Sequence, residues 1–280
     1  RPVSRLDEID VVQPVLFAIH VALAELWQSW GIMPDAVVGH SMGEVAAAHV
    51  AGILNLEDAV RVICCRSQLL KPYHGQGKMI ATELSPDQAK ELLKKYDNDI
   101  AIAVINSPTS TILSGDPETV KEVMEFLQGQ THFCKLVNVD VASHIPQMDQ
   151  VRTELQEALD GLRPRSAKIP FYSTVTGSRG DGLNFGADYW MNNLRKPVLF
   201  SDAIGHLLDD GHATFIEISP HPILLSSIQQ SSRLHHPEVK LLPSLRREEH
   251  ECEVMLRTLC EMYTEGFSIS WKQLYPTDGK

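Results

Sequence analysis

Apolar positions recur at helical spacing in some stretches of the chain and in short unbroken runs in others, and the two kinds alternate. Residues 11–31, VVQPVLFAIHVALAELWQSWG, are apolar at a 3.6-residue period and predict a helix that ends at Gly31, with Pro14 in its first turn. The run 35–38, DAVV, is short and β-branched, the pattern of a buried parallel strand. Two helices follow over 44–54 and 55–71, the second capped near Asn55. The rhythm then changes. Residues 77–84 read as strand, and 85–97 as a helix with Ser85 as its cap and Pro86 at its first position. Residues 100–115 read as two strands about a turn, 116–130 as a second helix and 131–144 as a last strand, spanning Lys135–Val141. That order, βαββαβ, is the ferredoxin-like pattern. Helix is expected again over 145–162, strand over 167–177, helix over 198–211, strand over 213–220 and helix over 221–232.

The alternation predicts an α/β fold in which a small ferredoxin-like subdomain, residues 77–142, is inserted into a larger α/β body made of 1–76 and 143–265. Residues 266–280 resemble a linker leaving a domain. With 280 residues and 43% hydrophobic content the chain can build a substantial core. A net charge of −11 without a basic block argues against a nucleic-acid partner. No apolar run is expected to span a membrane, and the N-terminal residues lack the apolar core of a signal peptide. Five cysteines without a CxxC pair read as reduced thiols in a cytoplasmic setting, and no His or Cys spacing suggests a metal site.

The chemistry gathers at Gly39-His40-Ser41-Met42-Gly43. A serine between two glycines, where a strand stops and a helix starts, fits a nucleophile elbow. Both glycines are expected to be required because a Cβ would clash as the turn folds back. The Met42 N–H, at the positive end of the helix, is placed to serve as an oxyanion donor. A serine hydroxyl needs a base. Of twelve histidines, His144 stands out because it follows a predicted strand where the chain re-enters the main body, beside a cleft between subdomains. Arg66 lies in an otherwise apolar helical face. Two readings are open for it: an ion pair with a carboxylate of the protein, or a fork for a substrate carboxylate.

Several motifs in order extend this picture: GHSMGE at 39–44, RSQLL at 66–70, INSP at 105–108, VASH at 141–144, FYSTVTG at 171–177, YWMNNLRKPVLF at 189–200 and EISPHPIL at 217–224. Together they resemble the acyltransferase domain of a modular type I polyketide synthase, within the malonyl-CoA:acyl carrier protein transacylase family. The resemblance covers nearly the whole chain. It implies an α/β-hydrolase-like large subdomain with a ferredoxin-like insert, and a role in secondary metabolism such as antibiotic biosynthesis. It also implies roles: Ser41 acylated, His144 as base and then acid, Arg66 pairing with the free carboxylate of a malonyl-type group, and Gln13, His40 and Asn106 lining the substrate site. The backbone around Ser219-Pro220-His221 would offer His144 a carbonyl in place of a triad carboxylate. The family's first strand and its Gly-Gln-Gly loop are not found ahead of residue 1, so the first strand is expected to be missing.

The implied reaction is ping-pong transfer of an extender unit from coenzyme A or a carrier protein to Ser41, and then to the phosphopantetheine thiol of an acyl carrier protein. No cofactor is expected to be bound. The implied partners are the acyl donor, the carrier protein and neighbouring synthase domains such as a ketosynthase. In this family the tetrapeptide ending at the histidine tracks the α-substituent. With Val141 and Ser143 in VASH, room beside the α-carbon favours a substituted malonyl group, while malonyl and hydroxy- or methoxymalonyl stay open. Two rival readings remain: a serine esterase using His221, His235 or His236 as base, and an inert synthase fragment.

Overall fold

The helix and strand signals meet in a mixed α/β architecture. The computed structural model describes residues 4–96, 99–137, 141–235 and 238–275, with the side chains of 234 and 235 excepted. Helix α1 (Ile9–Ser29) leads into the two-residue strand β1 (Val37–Val38), then α2 (Gly43–Val50) and α3 (Leu56–Leu70). The small subdomain follows as β2 (Lys78–Thr82), α4 (Pro86–Leu93), β3 (Ile100–Ser107), β4 (Ser110–Gly115), α5 (Pro117–Gly129) and β5 (Cys134–Leu136). After a 3-10 turn, α6 (Arg152–Ala158), β6 (Phe171–Ser173), β7 (Ser178–Gly180), α7 (Ala187–Arg195), β8 (Val198–Leu199) and α8 (Phe200–Asp209) return to the large body. Strand β9 (Thr214–Glu217), α9 (Leu225–His235), β10 (Lys240–Pro243), α10 (Glu251–Thr264) and α11 (Trp271–Leu274) complete it.

Local chemistry explains most of these boundaries. Asn55 accepts the Asp58 N–H at 2.8 Å and starts α3. Ser85 and Gln88 exchange hydrogen bonds in a capping box at α4, and Asp116 caps α5. Pro14 is a correction. Helix α1 begins at Ile9, where the Arg5–Glu8 pair and Lys71, bonded to Glu8 and Asp10, anchor its start, so the proline sits inside the helix.

The small subdomain has the antiparallel order β5-β2-β4-β3, as βαββαβ requires, over a core of its own centred on Ile80, Leu113, Val123 and Leu127. The sequence did not foresee that β8 joins this sheet. It runs parallel to β3, pairing Val104 with Val198 and Ile105 with Leu199. That strand welds the insert to the large body beside the site described below. In the large body β1 pairs parallel with β6, which pairs with β7, while β9 and β10 form a separate parallel pair. The chain enters and leaves the insert side by side: a Cβ on Gly77 would come within 2.5 Å of the Ala142 Cβ.

Two further differences concern the ends. By length and mean hydropathy (1.7) α1 is apolar enough to cross a membrane, the one such helix among the described residues, contrary to the reading that no run qualifies. Here it packs on α2 and α3, with Phe17 in the main core and Leu23 and Trp27 in a cluster with Leu242, Met255 and Leu259. Residues 266–275, read as a departing linker, fold back instead: the Ser270 N–H donates to the Trp30 carbonyl at 2.8 Å, and Phe267, Ile269 and Leu274 pack on that cluster. Residues 276–280, like His236 and part of the expected strand before His144, lie outside the described residues.

Candidate active site

The elbow is a matter of backbone sterics. Between β1 and α2 the chain reverses so tightly that a Cβ on Gly39 would lie 2.3 Å from both the N and Cα of Glu44. Gly43 is different. A Cβ there meets nothing within 4 Å, so only the first glycine is required by clash, a correction to the expectation for both. The turn forces Ser41 to φ +52°, a left-handed conformation that a non-glycine residue adopts at a cost of about 1–3 kcal/mol. The N–H groups of Gly43, Glu44 and Val45 are spent on the carbonyls of His40, Ser41 and Met42. The Met42 N–H is not among those spent on this turn, and it precedes the first residue of α2.

Across the cleft, His144 also takes a positive φ, +64°. Its Nε2 lies 2.7 Å from Ser41 Oγ. Its Nδ1 lies 2.9 Å from the carbonyl of Lys196, and its own N–H donates to the Leu194 carbonyl at 2.9 Å. The C-terminal end of α7 therefore holds the histidine twice. Pro197 explains why: it disfavours helical geometry at Lys196, which turns extended (φ −82°, ψ 157°) and ends the helix, turning the Lys196 carbonyl toward the imidazole. Because that carbonyl can only accept, the proton sits on Nδ1 and Nε2 is left as an acceptor for the serine hydroxyl. Burial, then the Arg66 charge, pushes the His144 pKa down to about 3, so the imidazole is neutral and basic in form at neutral pH.

The orienting carbonyl is thus that of Lys196, not of the 219–221 segment the sequence suggested. Residues 217–225 form a self-contained turn instead: the Glu217 carboxylate accepts the N–H groups of Ile223, Leu224 and Leu225 at 2.8 to 3.2 Å, and Ser219 Oγ donates to the His221 carbonyl. His221 Nδ1 accepts the Arg247 N–H at 3.1 Å. The side chain of His235 and all of His236 lie outside the described residues.

Arg66 is buried on α3. Its Nη1 donates to Asn193 Oδ1, and its Nη2 reaches Ser41 Oγ at 3.2 Å. No carboxylate lies within ion-pair distance of it among the described residues, so a direct salt bridge is not what occupies this arginine. Its Nε is buried without a hydrogen-bond partner. Nε and Nη2 form one planar edge of a guanidinium, the edge that Arg5 uses to hold Glu8. Burial lowers the Arg66 pKa to about 10, with Glu44 opposing, and the group stays cationic at neutral pH.

The remaining sequence candidates fall around this centre. Asn106, on β3, has its Oδ1 3.0 Å from His40 Nε2, and the His40 ring packs edge-on against Phe200 at 5.4 Å. Burial holds the His40 pKa below its ordinary value. Val141 is buried and Ser143 half-buried, immediately before His144. Gln13, on α1, has its side-chain carbonyl oxygen buried without a partner, and no hydrogen bond ties it to Ser41, His144 or Arg66.

Sequence reasoning missed the layer behind these residues. Glu44 is fully buried, and its carboxylate accepts from the Thr174 N–H, Thr174 Oγ1 (2.9 Å), Tyr189 OH (2.9 Å) and Asn193 Nδ2 (2.8 Å). Asn193 Nδ2 also donates to the Ser41 carbonyl at 3.1 Å. Two signals were available: a carboxylate next to an Ala-rich apolar run, and Tyr189 and Asn193 four apart on one face of a largely buried helix.

Comparison with known proteins identifies the family. Residues 1–268 match the family model described as "Acyl transferase domain". The chain is 39% identical over 273 residues to erythronolide synthase EryA2 of Saccharopolyspora erythraea, covering 97% of this chain and 8% of that protein. It is 40% identical over 270 residues to mycoketide-CoA synthase of Mycobacterium tuberculosis, covering 95% of this chain and 6% of that protein. Among solved structures, the acyltransferase domain from module 8 of the salinomycin polyketide synthase superposes with a TM-score of 0.93 at 40% identity, over 98% of this chain and 64% of that one. A loading acyltransferase from the avermectin modular polyketide synthase gives a TM-score of 0.87 at 36% identity, over 94% and 83%. The chain spans less than a tenth of the length of these two curated relatives. With the family model spanning residues 1–268 and polyketide synthase relatives aligned over nearly the whole chain, the chain belongs to the acyltransferase domains of modular polyketide synthases.

Proposed function

We propose that this domain carries a malonyl-type extender unit from coenzyme A or a carrier protein to the phosphopantetheine thiol of an acyl carrier protein, by a ping-pong route through Ser41. His144 Nε2 takes the serine proton as Oγ attacks the thioester carbonyl. The oxyanion forms against the Met42 N–H, the C–S bond breaks, and the proton on His144 passes to the departing thiolate. The acyl-serine ester is then attacked by the carrier thiol, which His144 deprotonates in turn, returning the proton to Ser41. The low basicity that burial imposes on His144 keeps it unprotonated before each attack.

The observation that carries this reading is Arg66. Its Nη2 is at the nucleophile, its Nε is buried and unpartnered, and no carboxylate of the protein pairs with it among the described residues. That edge suits the free carboxylate of a dicarboxylic acyl group, which both N–H groups could grip side by side. Val141 and Ser143, small residues beside His144, support a substituted malonyl group; Gln13, His40 and Asn106 are proposed to line the same site. The function sits within a cytoplasmic multidomain synthase with ketosynthase and carrier-protein neighbours, with no membrane or nucleic-acid partner.

Intact-protein mass spectrometry after brief incubation with malonyl-, methylmalonyl- and acetyl-CoA, with Ser41→Ala as control, tests it. A Ser41-dependent gain from a dicarboxylic donor, reduced by about a hundredfold in rate by Arg66→Ala, is expected. Equal loading of acetyl and malonyl groups, or loading indifferent to Arg66, would sink the reading.

A further inference from the structure

We propose that Asn193 is a specificity-positioning residue: an uncharged spacer that fixes Arg66 beside Ser41 while keeping its positive charge from being neutralised by Glu44. This rests on the dicarboxylic-acyl reading above and adds the device that makes Arg66 selective.

Every hydrogen bond Asn193 makes dictates its orientation. The Arg66 guanidinium can only donate, so the amide oxygen must face it. The Glu44 carboxylate and the Ser41 carbonyl accept, so the amide nitrogen must face them, at 2.8 and 3.1 Å. Reversing the amide would put donor against donor and acceptor against acceptor. Glu44 is in turn locked by Thr174 and Tyr189, and Tyr189 OH accepts from Ser173 Oγ at 2.7 Å. The whole chain from Ser173 to Arg66 is buried. The consequence for the arginine is geometric. Nη1 is consumed by a neutral partner, leaving Nη2 at Ser41 Oγ and Nε unpartnered, with no carboxylate on either among the described residues. The same amide tethers the Ser41 carbonyl, so cation and nucleophile are set relative to one another by one side chain.

A carboxylate in the place of the amide would put a negative charge on Arg66 and would also remove the two hydrogen bonds that Nδ2 donates to Glu44 and the Ser41 carbonyl; losing that tether affects every acyl donor alike, whereas the charge acts only on a donor with a free carboxylate. Asn193→Asp is nearly isosteric, yet it would turn the Arg66 contact into a buried ion pair. The cation's pull on a substrate carboxylate would weaken, and a like charge would stand close to it. An acetyl group, having no carboxylate, would feel only whatever general damage the substitution does. The quantity that reports the proposed role is therefore the ratio of the two loading rates.

The experiment measures Ser41 acylation by intact-protein mass spectrometry, with malonyl-CoA and acetyl-CoA in parallel, for wild type, Arg66→Ala, Asn193→Asp and the double variant Asn193→Asp/Glu44→Gln. The malonyl-to-acetyl ratio is expected to fall at least about tenfold in Asn193→Asp, the size of a lost charge-assisted contact. A ratio within twofold of wild type, with both rates lowered together, would show a purely structural role and overturn the proposal. If two neighbouring carboxylates prevent Asn193→Asp from folding, the double variant removes their repulsion and carries the same comparison. The two levels of inference fail differently. If wild type loads malonyl and Arg66→Ala lowers the ratio but neither variant carrying Asn193→Asp does, only the role of Asn193 falls; if Arg66→Ala leaves the ratio unchanged, the dicarboxylic reading falls with it.

Discussion

The two glycines of the elbow invite a paired substitution, because sequence treats them alike and the structure does not. In Gly39→Ala the new Cβ meets Glu44 N and Cα at 2.3 Å and the Gly43 carbonyl carbon at 2.5 Å. Ordinary contact begins near 3.4 Å, so about 1 Å must be gained, and all three obstacles are backbone at the start of α2. Overpacking that side chains can absorb costs about 1–3 kcal/mol; with only backbone to yield, the upper end or beyond applies. At about 2 °C per kcal/mol for a chain of this size, the melting temperature should fall by roughly 6 °C or more. The shift also moves Ser41 relative to His144, and a displacement of about 1 Å is worth on the order of a hundredfold in rate. Gly43→Ala meets nothing, and replacing glycine by alanine in a helix favours it by up to about 1 kcal/mol. Thermal melts, together with the rate of Ser41 labelling by a fluorophosphonate, check both. A Gly39→Ala protein that melts with wild type, or a Gly43→Ala protein that loses several degrees, would refute the steric account of the elbow.

Other consequences follow from the same contacts. Since the His144 pKa is pushed down to about 3 from an ordinary 6.5, the folded protein binds fewer protons than the unfolded chain between those values; stability from this group is complete above about pH 6.5 and is lost as pH falls toward 3, which acid titration of wild type against His144→Gln should show as a shallower acid limb in the variant. The same shift means that Ser41 labelling by a neutral reagent should change little between pH 7.5 and 5.5, where an ordinary histidine would lose most of its basic form; a tenfold decline would contradict it. Pro197→Gly, which frees Lys196 to leave its extended geometry, is expected to slow Ser41 labelling severalfold by loosening the carbonyl that orients His144, while Met79 and the rest of the small subdomain stay protected in hydrogen exchange. Far from the site, Ser244→Ala strands the buried Trp27 Nε1–H, bonded at 2.9 Å, and should cost about 1–3 kcal/mol measured by denaturant titration, with labelling of Ser41 unchanged.

What sequence determined by itself was whatever depends on neighbours along the chain. Period and capping are local, so Asn55 and Ser85 announced their helices, and the βαββαβ order of the insert was legible from its alternating runs and the Ser-Pro start of its first helix. Ser41 was legible because a nucleophile elbow is a short backbone motif; the roles proposed for His144 and Arg66 came from several motifs in order rather than from spacing. Tertiary structure decided the rest, since it depends on groups far apart in sequence. That the Lys196 carbonyl rather than the 219–221 turn orients His144, 52 residues away, follows from where α7 stops and how β8 seats against β3. That Arg66 answers to a neutral amide 127 residues on, and not to a carboxylate, follows from α7 presenting Asn193 between Glu44 and the elbow. A buried charge is satisfied by whatever the fold brings within about 3 Å of it, and no local pattern records that distance.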